Sequence, residues 1–227
     1  MATNLCGTPI KGKIIRIIAV DVCGVLISGA NSRKVVLSSF TKVGLSPQYE
    51  DGTEFFERTA DGSVCVNQKD PPILKRYTAD VDLCAVDPDS TPQVLSAREL
   101  TTTGPVSGTG FAISEGPPTS HFSLECWQQI GGSGACDPTG AQRYVYNALP
   151  HCLNTRLQDY SIENAKSVLS FICETQGASP LWTAGAAWLP AGAGGAVSPN
   201  AATPDHWLFN ITTVAPPVAQ CGYTSWP

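Results

Sequence analysis

Apolar and polar residues alternate with a period of two along most of the chain, and clusters of Gly, Pro, Asn and Asp interrupt the alternation. KIIRIIAVD (13–21) and RKVVLSSFTKVGL (33–45) read as strands. EDGTEFFERTADGSVCVN (50–67) contains Asp-Gly twice, and the second, Asp61-Gly62, lies between a Phe-bearing run and SVCVN. Asp-Gly supplies the positive φ angles of a type I′ turn, so a β-hairpin is predicted with Asp61 and Gly62 at its tip. In RYTADVDLCAV (76–86), Tyr77, Ala79, Val81, Leu83 and Ala85 share one strand face, and Thr78, Asp80, Asp82 and Cys84 share the other. DPDSTPQVLSAREL predicts one short helix near 90–98, with Asp87 or Asp89 as its cap and prolines where a first turn tolerates them.

Strands resume in the second half at 105–115, 121–130, 142–150, 152–160, 166–175 and 205–214. Between the last two lies a Gly/Ala/Pro-rich, uncharged stretch (about 175–204) that carries Trp182 and Trp188. A loop of that length is normally functional or disordered, and its tryptophans argue against simple disorder. There is no internal repeat and no domain boundary, so the pattern predicts a single domain over 1–227. It would be mainly β, a β-sandwich or barrel with one short flanking α-helix, an N-terminal arm (about 1–12) and a C-terminal tail (about 215–227).

Composition adds a second expectation. Charged residues make up 15% of the chain, well below the ~25% usual for globular domains, as expected of a subunit with large interfaces. The net charge of −5 argues against gripping nucleic acid by counterion release. MATNLCGTPIKGK has neither the apolar run nor the cleavage pattern of a signal peptide. IIRIIAVDVCGVLI carries Arg16 and Asp21 and is too short for a membrane span. No membrane anchoring is therefore expected.

The candidate chemistry is thin. Nine cysteines without a C-x-x-C pair favour buried, inert thiols, and leave Cys126 and Cys136, across a Gly-rich turn, as the candidate disulfide. His121, His151 and His206 have no paired spacing for a metal, and no metal or cofactor is expected. GGSGA (131–135) resembles a nucleophile elbow with Ser133 as nucleophile, but CDPTGAQRYVY after it reads as turn and strand instead of helix. Asp80 and Asp82 point to one strand face roughly 6–7 Å apart, within the span of a glycosidase carboxylate pair. An exposed polar face salt-bridged to a neighbouring base is the plainer account, and no enzyme activity is expected.

YEDGTEFFERTADGSVCVNQKDPPILKRYTADVDLCAVDPDS resembles the major tail proteins, or tail tube subunits, of long-tailed phages infecting actinobacteria. The matching features are the acidic-Gly-Glu run from Glu50 to Glu54, the DG-x-x-CVN-x-KDP turn and strand, LKR leading into an alternating strand, and C-x-VDPD before a short helix. ECW (125–127), QRYVY (142–146), SIEN (161–164), DHW (205–207) with TTV-x-PP after it, and Cys221-Gly222 extend the likeness over most of the chain from about residue 13.

The resemblance implies a tail-tube-type fold whose subunits form hexameric rings stacked into a tube. Such a tube is assembled in the host bacterial cytoplasm and becomes part of the virion. Its implied partners are further copies of itself, the tape measure protein, and the tail terminator and distal tail proteins, with double-stranded DNA passing non-specifically through the lumen. The acidic balance suits such a conduit, because like charge lets a duplex slide. Asp61, Gly62, Trp182 and Trp188 are the candidate inter-subunit contacts, taken from expected exposure at a hairpin tip and in the long loop. Another ring-forming tail component, a terminator or connector, is the alternative. A carbohydrate-binding β-sandwich stacking sugars on Trp182, Trp188 and Trp207 is a further one.

Overall fold

The run Ile14-Ile15-Arg16-Ile17-Ile18 shows no alternation because its strand, β1 (Thr8–Ala19), is buried on both faces over this stretch. The computed structural model describes residues 7–27, 29–84, 87–88, 90–102, 108–160, 168–179, 182 and 205–226. Among them the chain is mainly β, with antiparallel sheets and one short helix. After β1 come β2 (Gly29–Leu37), β3 (Phe40–Glu50), β4 (Glu54–Arg58), β5 (Val64–Lys69) and β6 (Ile73–Leu83). Helix α1 (Ser90–Leu95) leads to β7 (Arg98–Thr102), β8 (Gly108–Ala112) and β9 (Phe122–Gly131). The second half holds β10 (Tyr144–Leu157), β11 (Leu169–Gln176), β12 (Leu208–Thr212) and β13 (Gln220–Trp226).

Nine strands form one sheet in the order β13-β2-β1-β9-β10-β11-β6-β3, with β12 also paired to β10; β4–β5 and β7–β8 are separate ribbons. The sheet curls until the Phe40 ring of β3 lies against Gly12 of β1. Its concave face holds the inner core: Ile15, Ile17, Val35, Leu37, Phe122, Leu124 and Cys126 from one half meet Ala79, Val81, Leu83, Leu169, Phe171 and Cys173 from the other. Helix α1 adds Val94 and Leu95 to this core. Of its two expected caps, Asp89 lies outside the described residues, and Asp87 is different in detail. The Asp87 carbonyl accepts from Thr91 N, 3.2 Å, while the Asp87 carboxylate accepts from Gly222 N, 3.1 Å.

Several boundaries differ from the sequence expectation. Residues 8–12 of the expected N-terminal arm belong to β1 and pair with β9, and the helix ends at Leu95, with Arg98 already in β7. The single strand expected over 33–45 is two strands, β2 and β3, which turn a corner at Ser38–Ser39 and join opposite ends of the sheet. Conversely, the two strands expected at 142–150 and 152–160 are one, β10. Pro150 is tolerated because the β9 ladder shifts register between Leu149 and Cys152, a bulge at which a missing N–H breaks no regular ladder. Much of the expected C-terminal tail is β13, which pairs with β2.

The convex face around β1 is covered as well. Ile14, Val36, Trp127, Tyr146 and Ala148 pack beneath Ala178 and Trp182, with Leu208 alongside. Within this layer Arg16 and Glu125 face each other directly across β1 and β9, with Arg16 Nε donating to Glu125 Oε2 at 2.7 Å and side chains only 5% and 0% exposed. The guanidinium also lies over the Trp127 ring, 5.1 Å from its centroid. Burial pushes the Glu125 carboxyl up to about 8, with the Arg16 charge pulling the other way. Removing either partner leaves the other's buried polar group without that hydrogen bond in a dry layer, a guanidinium charge if Glu125 is lost and a carboxyl if Arg16 is lost. The cost is about 3–5 kcal/mol. Urea denaturation should therefore find Arg16→Met and Glu125→Gln each destabilising by about that amount, with the double variant Arg16→Met/Glu125→Leu recovering most of the loss.

Candidate interaction surface

From Ser46 to Lys75 every residue except Gly52 and Leu74 is exposed. This segment is an arm: the outer half of the β3–β6 ladder, carried on by the β4–β5 ribbon. Its contour from the ladder to the tip is roughly 50 Å at ~3.3 Å per residue. A two-stranded ribbon on its own is marginally stable in water. Yet the arm carries Tyr49 (60% exposed), Phe55 (53%), Phe56 (46%), Val64, Val66 and Ile73 (71%).

The register puts these side chains on both faces of the ribbon. Phe55 pairs with Gln68 and Glu57 with Val66, so Phe55 and Val66 share one face; Phe56 and Arg58, with Val64 opposite Arg58, share the other. The Arg58 guanidinium lies 5.3 Å from the Phe56 ring centroid. A ribbon destined to lie flat on its own domain would need apolar residues on one face only. The arm is also acidic, with Glu50, Asp51, Glu54, Glu57, Asp61 and Asp70 against Arg58, Lys69 and Lys75.

The predicted hairpin is present, but its tip is not type I′. Gly62 N donates to the Thr59 carbonyl at 2.9 Å and Thr59 N to the Ser63 carbonyl at 2.8 Å. Gly62 has φ +86°, while Asp61 keeps a negative φ. That is a type I turn closed by a glycine bulge. Asp61 serves the turn through its side chain: Oδ1 accepts from Thr59 Oγ1, from Ser63 N at 3.1 Å and from Ser63 Oγ at 2.8 Å. These hydrogen bonds hold its carboxyl down at about 2. Asp61 and Gly62 are both solvent-facing, so the tip is available to a neighbour.

The other candidates are placed differently. Trp182, a candidate exposed contact by sequence, is instead 1% exposed, packed in the convex layer against the sheet; its ring is unavailable to a neighbour or a sugar. Trp188 lies outside the described residues. Trp207 is 40% exposed, with Nε1 donating to Asn147 Oδ1 at 3.1 Å and its ring edge-on to Tyr77 and Phe209. The Cys126–Cys136 disulfide is absent: Cys126 points into the inner core, Cys136 is exposed in the turn after β9, and both are free thiols.

Asp80 and Asp82 have separate partners, Lys42 Nζ for Asp80 and Ser170 Oγ (2.6 Å) for Asp82, and so serve the ladder on either side of β6. Ser133 lies in a 3-10 turn, Gly132–Gly134, succeeded by an Asp137-centred turn and strand β10, without the helix an elbow requires. His206 shares a 2.9 Å hydrogen bond with Thr175 Oγ1. His121 and His151, 30 residues apart, meet at 2.8 Å, a contact with no sequence signal because it depends on how β9 and β10 pair. Among the described residues no cluster of three metal-ligating side chains occurs, and no helix is long and apolar enough to cross a membrane. No protein-family model matches the chain, and no curated protein matches it.

The tip gives a local test. Nothing lies within 4 Å of a Cβ built on Gly62, so Gly62→Ala meets only the cost of its left-handed backbone, about 1 kcal/mol. Hydrogen exchange should report roughly fivefold faster opening of the β4–β5 amides, with the global melting temperature unchanged, because the arm opens locally.

Proposed function

We propose that this chain is a structural subunit that assembles with copies of itself into stacked rings, forming a tube for the passage of DNA like the phage tail tube its motifs resemble. The observation that carries the reading is the arm: a ribbon that leaves the body with apolar side chains on both faces and a completed core behind it. A ribbon with two apolar faces fits between two neighbours. Covering its six large apolar side chains contributes on the order of 5–10 kcal/mol of transfer free energy, enough to offset a substantial part of the cost of association. A contact between an arm and a different surface of the next copy is heterologous, and heterologous contacts build rings and open stacks. The low charge content supports the same reading, since interface cores are depleted in charge.

Electron microscopy of purified protein tests this directly, with hollow tubes or hexameric rings expected; a dilute monomer that never assembles, even on a tail-tip initiator, would count against it. The arm's part is separable from folding. Phe55→Ser/Val66→Ser on one face and Phe56→Ser/Val64→Ser on the other should each change unfolding free energy by no more than about 0.5 kcal/mol. Both should abolish or severely slow assembly, monitored by sedimentation. A single ring ending a tube is the alternative role, and copy number per virion separates the two: many stacked rings for a tube subunit, one for a terminator. A carbohydrate-binding role is weakened, because among the described tryptophans proposed as platforms Trp182 is buried and Trp207 alone is exposed.

A further inference from the structure

The turn joining β1 to β2 is closed against a buried histidine. Asp21 Oδ1 accepts from Cys23 N at 2.9 Å and Val25 N at 2.8 Å, Asp21 N donates to the Val25 carbonyl at 2.9 Å, and Val20 bridges Leu26. Gly24, at φ +75°, lies so close that a Cβ there would come within 2.9 Å of His151 Nδ1. His151 is 1% exposed, and its other nitrogen, Nε2, meets His121 Nδ1 at 2.8 Å. His121 in turn is tied to β1, its carbonyl accepting from Val20 N at 3.1 Å. Turn, strand end and histidine pair therefore form one contact set.

We propose that the His121–His151 pair is an acid-sensitive latch, which holds the 20–26 turn closed while one proton bridges the two imidazoles and releases it when both rings are fully protonated. A 2.8 Å hydrogen bond between two imidazoles needs one nitrogen to donate and the other to accept. Two imidazolium rings offer only donors and repel, and a buried imidazolium also lacks water. Among the described residues, the charged and titratable groups bearing on His151 come from two directions: His121 ahead of β9, and Asp21 from the turn itself. From β11 its register partner is the neutral Gln176.

Burial, then the His121 charge, lower the proton affinity of His151, and Asp21 opposes them only in part. A group whose folded value is lowered gives stability that is complete above its unfolded value and is lost as pH falls toward the folded one. The closed turn should accordingly weaken as pH drops below the ordinary histidine value of about 6.5. The exposed tip residue Val22, 73% accessible, is what the latch presents or releases. The latch belongs to the single protomer and does not depend on assembly.

Hydrogen exchange corrected for intrinsic rates, at about pH 7.5 and pH 5.5, tests it on the amides of Cys23, Gly24 and Val25. In the wild type their protection should fall at least about threefold on acidification, because the open turn binds a proton that the closed one disfavours. His121→Gln keeps a hydrogen-bonding partner that cannot become charged but leaves His151 buried, so the same drop should be measurably smaller without vanishing. Equal losses in both proteins, or none in the wild type, would overturn the latch. Titration of the imidazole carbon-bound protons by NMR in the unmodified protein gives an independent check: a coupled, two-step curve supports it, and two independent single-site curves at the ordinary value overturn it.

Discussion

Strand β10 has three partners, and that sharing constrains everything around it. Its first half pairs with β9 on one side and β12 on the other; its second half gives up β12 and takes β11. The change of partner coincides with the bulge at Leu149–Cys152, which bends the strand. One bent strand therefore belongs to both halves of the sheet, and the halves can close on each other over Leu124, Leu149, Phe122 and Phe171. Were β10 straight, β11, β6 and β3 would continue a flat sheet and the inner core would face water.

Closure around that bend uses the concave face, and Ala178 and Trp182 with the Arg16–Glu125 pair use the convex face. Both sides of the central strands are thus occupied within one protomer. Nothing in the described body is left for Tyr49, Phe55, Phe56 or Ile73, which stand in solvent on a ribbon that is marginal alone. The contrast between a body covered on two faces and an arm covered on none is the physical basis for reading the chain as a building block.

Much of this is legible in the residues. The unbroken run IIRII and the alternation in TADVDL predict which strands are central, because burial on two faces removes periodicity and burial on one preserves it. Asp61-Gly62 marks the hairpin but not its turn type, since Asp-Gly suits a glycine bulge as well as a type I′ turn. The corner at Ser38–Ser39 is invisible because both flanks are strand-like. Pro150 reads as a stop, whereas a bulge lets a strand pass through it. Trp182, Cys126 and the His121–His151 contact depend on which distant segments meet, and local pattern carries no information about that.

In the assembly proposed for this chain, the arm finds in a neighbouring copy the cover that its own body does not provide. Hydrogen exchange of the backbone from Ser46 to Lys75, compared between dissociated protomers and the assembled form, measures this directly. Exchange through β4 and β5 should be fast in the protomer and strongly suppressed at the same amides after assembly, with the inner-core strands protected in both. Assemblies in which the arm exchanges as fast as in the free protomer would contradict it.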